Sequence, residues 1–173
     1  MTKLIDELKQ QNHPLIIVYF DKEGSPDLAK KNPHLAKEMT SYYYIGNDSS
    51  LLPFLSVQEN LLLGISRKQK KSYFQNILKW SQYFKLATVV SNQQAASISP
   101  ETKFLIHLIR GLALQREVIF LNDVELALPL DFLLDLLPSL KKITKETPTS
   151  FVIFTKQALL KQQTGVLLIE GSN

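Results

Sequence analysis

Two periodicities alternate along the 173 residues of this chain. Leu4, Ile5 and Leu8 recur at helical spacing and predict a helix over 2–11, closed by His13-Pro14 because the residue before a proline resists the helical region. Leu15 to Phe20 is a continuous apolar, β-rich run bounded by Pro14 and by Asp21-Lys22-Glu23-Gly24, the pattern of an internal strand covered on both faces. Good helix formers from Pro26 to Met39 and a second β-rich run at Ser41–Gly46 complete a strand, crossover helix, strand unit. From Ser56 the period becomes helical, with Val57, Leu61, Leu62 and Ile65 on one side and Ser56 and Glu59 spaced as a capping box. A further helix is predicted from about Ser72 to Phe84, with Phe74, Ile77, Leu78 and Trp80 as its apolar members. Ser91 to Ser99 is small and polar, hence a loop. Ser99-Pro100 then opens a helix to Ala113 whose Phe104, Leu105, Leu108, Ile109 and Leu112 are spaced for burial. Glu117 to Leu121 reads as a strand stopping at Asn122-Asp123, Leu130 to Ile143 as an amphipathic helix, and Phe151–Thr155 and Gly165–Glu170 as strands.

Apolar strands alternating with amphipathic helices define an α/β class: a mostly parallel sheet flanked by helices. The purely helical stretch divides the chain into an α/β core, 1–54 with 111–173, and an inserted helical lobe, 55–110, within one domain. Composition is that of a globular protein, with 45% hydrophobic residues and a formal charge of +4 from twenty Lys and Arg against sixteen Asp and Glu. No apolar run suffices to cross a bilayer, and Lys3, Asp6, Glu7 and Lys9 interrupt the start where a secretory signal needs an unbroken apolar core. The absence of cysteine removes disulfides, thiolate metal sites and cysteine nucleophiles, and fits a cytoplasmic protein.

The order of segments carries more. A β-rich strand is followed by LLPFLSVQENLLLG (51–64), a helical insert, a serine-led turn, a helix ending RGLAL (110–114), and then the strand VIFLND (118–123). This order resembles the nucleotide-binding subunit of ABC transporters, of P-loop NTPase fold, over nearly the whole chain. The resemblance implies a glycine-rich phosphate loop, whose backbone N–H groups cradle phosphates. No G-x-x-x-x-G-K-[ST] stands in this sequence. Two registers remain open. In one, Leu15–Phe20 follows the family's first helix and the chain is truncated at the end of the phosphate loop. In the other, Leu15–Phe20 is the phosphate-loop strand and Asp21–Pro26 is a collapsed loop whose Asp21 and Glu23 repel phosphate. The first leaves unpaired strand edges unless the sheet rearranges or another chain covers them, because the family's phosphate-loop strand is central.

By the same resemblance Asn47 stands at the Q-loop glutamine, and Ser99 in the signature turn, where Pro100 and Glu101 replace glycines. Asn122 and Asp123 stand at the Walker B acids, Pro129 at the D-loop aspartate and Lys156 at the switch histidine. Read from the residues alone, Ser99 is a helix N-cap with Pro100 at N1, and Asp123 is a strand-end turn acid. Asparagine brings no charge to a hard cation, and lysine does not titrate near neutral pH as histidine does. The resemblance therefore implies a degenerate pseudo-ATPase with no catalytic residue, no bound cofactor and no metal.

In the family, a transmembrane partner docks beside the Q-loop. Here that surface is Asp48, Leu51, Leu52, Pro53, Phe54 and Glu59, which implies an accessory or regulatory subunit, possible as a homo- or heterodimer, held to the membrane through a permease or ATPase partner. The alternative is a residual ATPase that uses Asn47, Asp123 and Lys156 with ATP and Mg²⁺ and takes a complete phosphate loop from a heterodimer partner. His13, His34 and His107 lack metal-ligand spacing, and His107 reads as a core histidine. Arg67 to Lys71, with Lys79 and Lys85, is a basic region able to attract nucleic acid or anionic lipid, more simply read as a solvated helix start. Nucleic acid is not expected as a partner, since no aromatics are interleaved with it.

Overall fold

The computed structural model describes residues 15–20, 41–46, 50–86 and 92–170. The helices expected at 2–11 and 26–39 lie outside these residues. The chain divides into two compact units, Met1–Asn47 with Glu117–Asn173, and Asp48–Arg116.

The first unit is built on five described strands: β1 (Leu15–Tyr19), β2 (Tyr42–Gly46), β3 (Val118–Asn122), β4 (Ser150–Thr155) and β5 (Leu167–Glu170). They form one parallel sheet of order β2-β3-β4-β1-β5. Parallel strands are hydrophobic on both faces because each face is covered, and β3 and β4 are buried throughout. On one face Ile16, Val18, Phe20, Val118, Phe120, Val152, Phe154 and Ile169 form a cluster against which Tyr44 packs. Rings of Tyr42, Phe120, Phe154 and Phe20 follow one another across this face at centroid spacings of 6.1 Å. Alternation thus places Tyr42 and Tyr44 on one side of the sheet and Tyr43 on the other.

The opposite face receives the helix Leu130–Glu146, whose Leu133, Leu136, Leu137 and Leu140 meet Leu121, Val124, Ile153 and Leu160. This helix runs three residues beyond the expected Ile143 and continues through Pro138, which sits on its exposed side. A four-residue helix, Ala158–Lys161, precedes β5 and was not legible in the sequence.

The sheet has no gap at its centre: β1 lies between β4 and β5, paired in parallel with both (Ile17 opposite Ile153 and Leu168). Leu15–Phe20 therefore holds the internal place that its apolar run predicts, and no unpaired edge stands between the described strands.

The second unit contains α1 (Val57–Leu62), α2 (Lys70–Tyr83) and α3 (Pro100–Ala113). The α1 capping box forms as expected: the Glu59 N–H donates to Ser56 Oγ, and Glu59 Oε2 accepts from the Ser56 N–H at 2.7 Å. The buried face of α2 is Tyr73, Ile77, Trp80 and Ser81, rotated from the expected one; Phe74 and Leu78 are only half-buried. Tyr73 is buried because its hydroxyl has a partner, the Leu61 carbonyl at 2.9 Å. The loop before α3 holds a single 3₁₀ turn, Ala95–Ser97. Among the described residues no helix is long and apolar enough to cross a membrane.

Candidate functional site

Ligands of open α/β sheets bind beyond the carboxyl ends of the strands. In this sheet that edge is defined by register: Gly46 pairs with Asn122, Asn122 with Phe154, and Tyr19 with Thr155. The chain therefore leaves β1, β3 and β4 side by side. The residues following β1 read Asp21-Lys22-Glu23-Gly24-Ser25-Pro26. Those following β3 begin with Asp123, and those following β4 with Lys156.

Asn122 is buried, and its side-chain amide donates to Asp123 Oδ2 at 3.1 Å. Asp123 adopts the left-handed conformation, φ 50°, which aspartate tolerates better than most residues. Its N–H reaches the Phe154 carbonyl at 3.3 Å, tying β3 to β4 beyond the last paired residue. This backbone reversal starts the 3₁₀ turn Val124–Leu126 and carries Glu125 over the end of β4. Glu125 Oε1 then accepts the Thr155 hydroxyl at 2.8 Å and the Lys156 N–H at 3.0 Å. Its other oxygen, Oε2, is buried without a hydrogen-bond partner among the described residues. Thr155 is fully buried and also accepts the Gln157 N–H at 3.0 Å.

Of the residues singled out by the order of segments, Asn122 bonds Asp123, while Lys156 gives its N–H to Glu125, a residue the sequence did not single out. Nothing in the sequence period marks Glu125. Only the sharp turn at Asp123 aims it at β4, and an acid three residues past a strand end was the sole available signal. Asn47 and Asp48 lie outside the described residues.

In the second unit Ser99 is the N-cap of α3, with φ −66° and ψ 159°, its hydroxyl accepting the Thr102 N–H at 3.2 Å and Pro100 in the first turn. Glu101 is held below the usual carboxylate range, first by its own backbone N–H and then by the Ser99 hydroxyl. Of the residues expected to meet a partner, Leu51 is buried, because its side chain joins the lobe's core. Glu59 is engaged with Ser56, whose backbone and hydroxyl lower its pKa. Leu52, Pro53 and Phe54 are exposed, Phe54 at 73%.

That exposed turn is tightly held. Buried Asn60 receives the Leu52 N–H at Oδ1, 2.7 Å, and returns its amide to the carbonyls of Leu52 and Ser56, both at 3.0 Å. On the other side Val57 N–H bonds the Gln93 carbonyl and Ala95 N–H the Leu55 carbonyl. Arg110 of α3 closes the far end of α1 through the carbonyls of Asn60 (3.2 Å) and Leu63 (2.7 Å). His107, one helical turn before it, is buried, and its pKa is pushed down to about 4, first by burial and then by the Arg110 charge.

A parallel sheet of this order, with a helical unit inserted between its second and third strands, is the fold of the ATP-binding cassettes of ABC transporters. The chain is similar to a metal-chelate type ABC transporter solved in an inward-facing conformation, with a TM-score of 0.68 at 19% identity over 91% of this chain and 69% of that one. It is similar also to the ATP-binding cassette MJ0796 in a dimeric structure, with a TM-score of 0.62 at 14% identity over 91% of this chain and 82% of that one. A second dimeric structure of MJ0796, in a post-hydrolysis state bound to ADP and Pi, gives 0.58 at 14% identity over 86% and 77%. At these identities the likeness is one of fold. No protein-family model matches the sequence, and no curated protein matches it.

Proposed function

We propose that the chain is a non-hydrolysing, cassette-like subunit that docks from the cytoplasm on the permease or an ATPase subunit of an ABC transporter. The observation that carries this reading is the Glu125 carboxylate on the Thr155 hydroxyl and the Lys156 N–H. A triphosphate site offers N–H and O–H donors to an anion, and here an internal anion already holds them. The internal place of β1 supports the register in which Asp21–Pro26 stands where the phosphate loop would be, and two acids with one glycine are a poor match to phosphate. Asn122 supplies no charge to Mg²⁺, and the Asp123 carboxylate is turned to Asn122. These residues do not fit a magnesium nucleotide. Phosphoryl transfer needs positioning, charge neutralisation and water orientation together, and this donor set favours none of them.

The docking half of the reading rests on the turn Leu52–Phe54, exposed and apolar yet fixed on both sides by hydrogen bonds. A preorganised apolar knob binds with little further loss of conformational entropy. The neighbours with the same fold are a transporter and dimeric cassettes, which supports a membrane permease or a second cassette as the partner.

Thermal melting separates the two halves. With Mg·ATP present the melting temperature is expected not to move, whereas binding at a hundred times the dissociation constant adds about 2.7 kcal/mol. A clear upward shift favours the residual ATPase. Co-purification with the membrane proteins encoded beside its gene is expected, and Phe54→Asp is expected to abolish it. Recovery as a free monomer in both cases overturns the docking role.

A further inference from the structure

The two units carry opposite charge. Asp48–Arg116 contains nine Lys and Arg against three Asp and Glu, net +6, and the remainder eleven against thirteen, net −2. The positive charge of the helical unit is concentrated in one short segment. Gly64, with φ +76°, turns the chain out of α1, and a turn closed by the Gln69 N–H on the Ser66 carbonyl presents Arg67 and Lys68. Lys70 and Lys71 follow in the first turn of α2, and all four basic side chains are exposed.

This placement is unfavourable for the helix itself. The N-terminus of a helix carries positive partial charge and favours acids, yet α2 begins with two lysines, no acid in its first turn and no side-chain cap from Gln69. Among the described residues none of the four charges is in an ion pair; the surface pairs are Lys142–Glu146 and Lys161–Glu170 of the other unit. The acids Glu59 and Glu101 of the helical unit are engaged at the N-termini of α1 and α3. A local rule broken without internal compensation marks a surface kept for something outside the chain.

We infer that the segment Leu63–Lys71 is a contact surface for an anionic membrane, made by the chain itself and independent of any protein partner. Four basic residues within five positions reach the density that binds acidic lipid headgroups. Apolar side chains that can enter the headgroup region stand in the same unit: Leu63, 45% exposed, at the start of the segment, and Phe54. A permease is a poor match to this charge, since the cytoplasmic loops of membrane proteins are themselves rich in Lys and Arg. Nucleic acid would want exposed rings among the cations, whereas Tyr73 and Trp80 of α2 are buried.

The test is sedimentation of the purified full chain with phosphatidylcholine vesicles, with and without about a quarter of phosphatidylserine. Binding to the phosphatidylserine vesicles alone is expected, falling steeply as salt shortens the screening length. Lys70→Gln with Lys71→Gln is expected to weaken it about 25-fold, at roughly fivefold per charge. The equal charge change at Lys142→Gln with Lys145→Gln is expected to alter it less than about twofold, because the segment and not the net charge is responsible. Absence of binding, equal losses for the two pairs, or preference for RNA or polyglutamate over the vesicles would each overturn the inference. Vesicle binding needs no permease, so its failure leaves the docking reading untouched.

Discussion

The Asn60 side-chain amide bonds the backbone of Leu52 in both directions while its main-chain carbonyl holds Arg110, so one buried residue joins a surface turn, a short helix and a neighbouring helix. Asn60→Ala leaves the Leu52 N–H without its acceptor, while the carbonyls of Leu52 and Ser56 keep the N–H groups of Leu55 and of residue 60. It is expected to destabilise the chain by about 1–2 kcal/mol in urea titrations. His107 sets a pH dependence. Its pKa of about 4 in the fold lies below the unfolded value, so the unfolded chain binds the proton more readily. The stability linked to it is complete above about pH 6.5 and is lost as the pH falls towards 4, up to about 3 kcal/mol in all. Melting temperatures at pH 7 and pH 5 are expected to converge in His107→Leu relative to the unsubstituted chain. That His107 belongs to a core was readable from its place on an apolar helix. That Asn60 is a clamp was not, because its partners lie on a turn whose path no periodicity describes.

At the scale of elements, the helix Leu130–Glu146 shows how packing overrides local preference. Pro138 removes a hydrogen bond from the middle of the helix and crowds the preceding turn, yet Leu133, Leu136, Leu137, Leu140 and Ile143 keep one face buried along its length. Pro138→Ala is expected to raise stability by about 1–3 kcal/mol without altering the fold, measured by chemical denaturation. Ser99 caps α3, and Ser99→Ala is expected to cost about 1 kcal/mol of stability. The caps of α1 and α3 were legible because they are local: a serine, its spacing and a proline are sufficient signals. The buried face of α2 was misjudged by about one residue, since Tyr73 is admitted to the core only by the distant Leu61 carbonyl.

For the whole molecule, the sheet order decides which strand is indispensable. β1 is paired on both sides, so without it β4 acquires a free edge and β5 loses its only described neighbour in the sheet. A chain starting at residue 21 is expected to show no cooperative melt, by calorimetry, where a chain whose core did not depend on β1 would still unfold in one transition.

Sequence by itself determined the alternation of strands and helices, the parallel α/β class, the caps of α1 and α3, and the residue types at the carboxyl edge, because each follows from local period, turn chemistry or side-chain charge. Tertiary structure alone decided that β4 and β5 are the neighbours of Leu15–Tyr19, that Glu125 takes the donors at the end of β4, that Leu51 is buried while Phe54 is not, and that the lysines of α2 stand without ion-pair partners among the described residues. Each of these depends on which distant backbone lies alongside, and a strand's neighbours, unlike its period, are set by how the whole sheet closes.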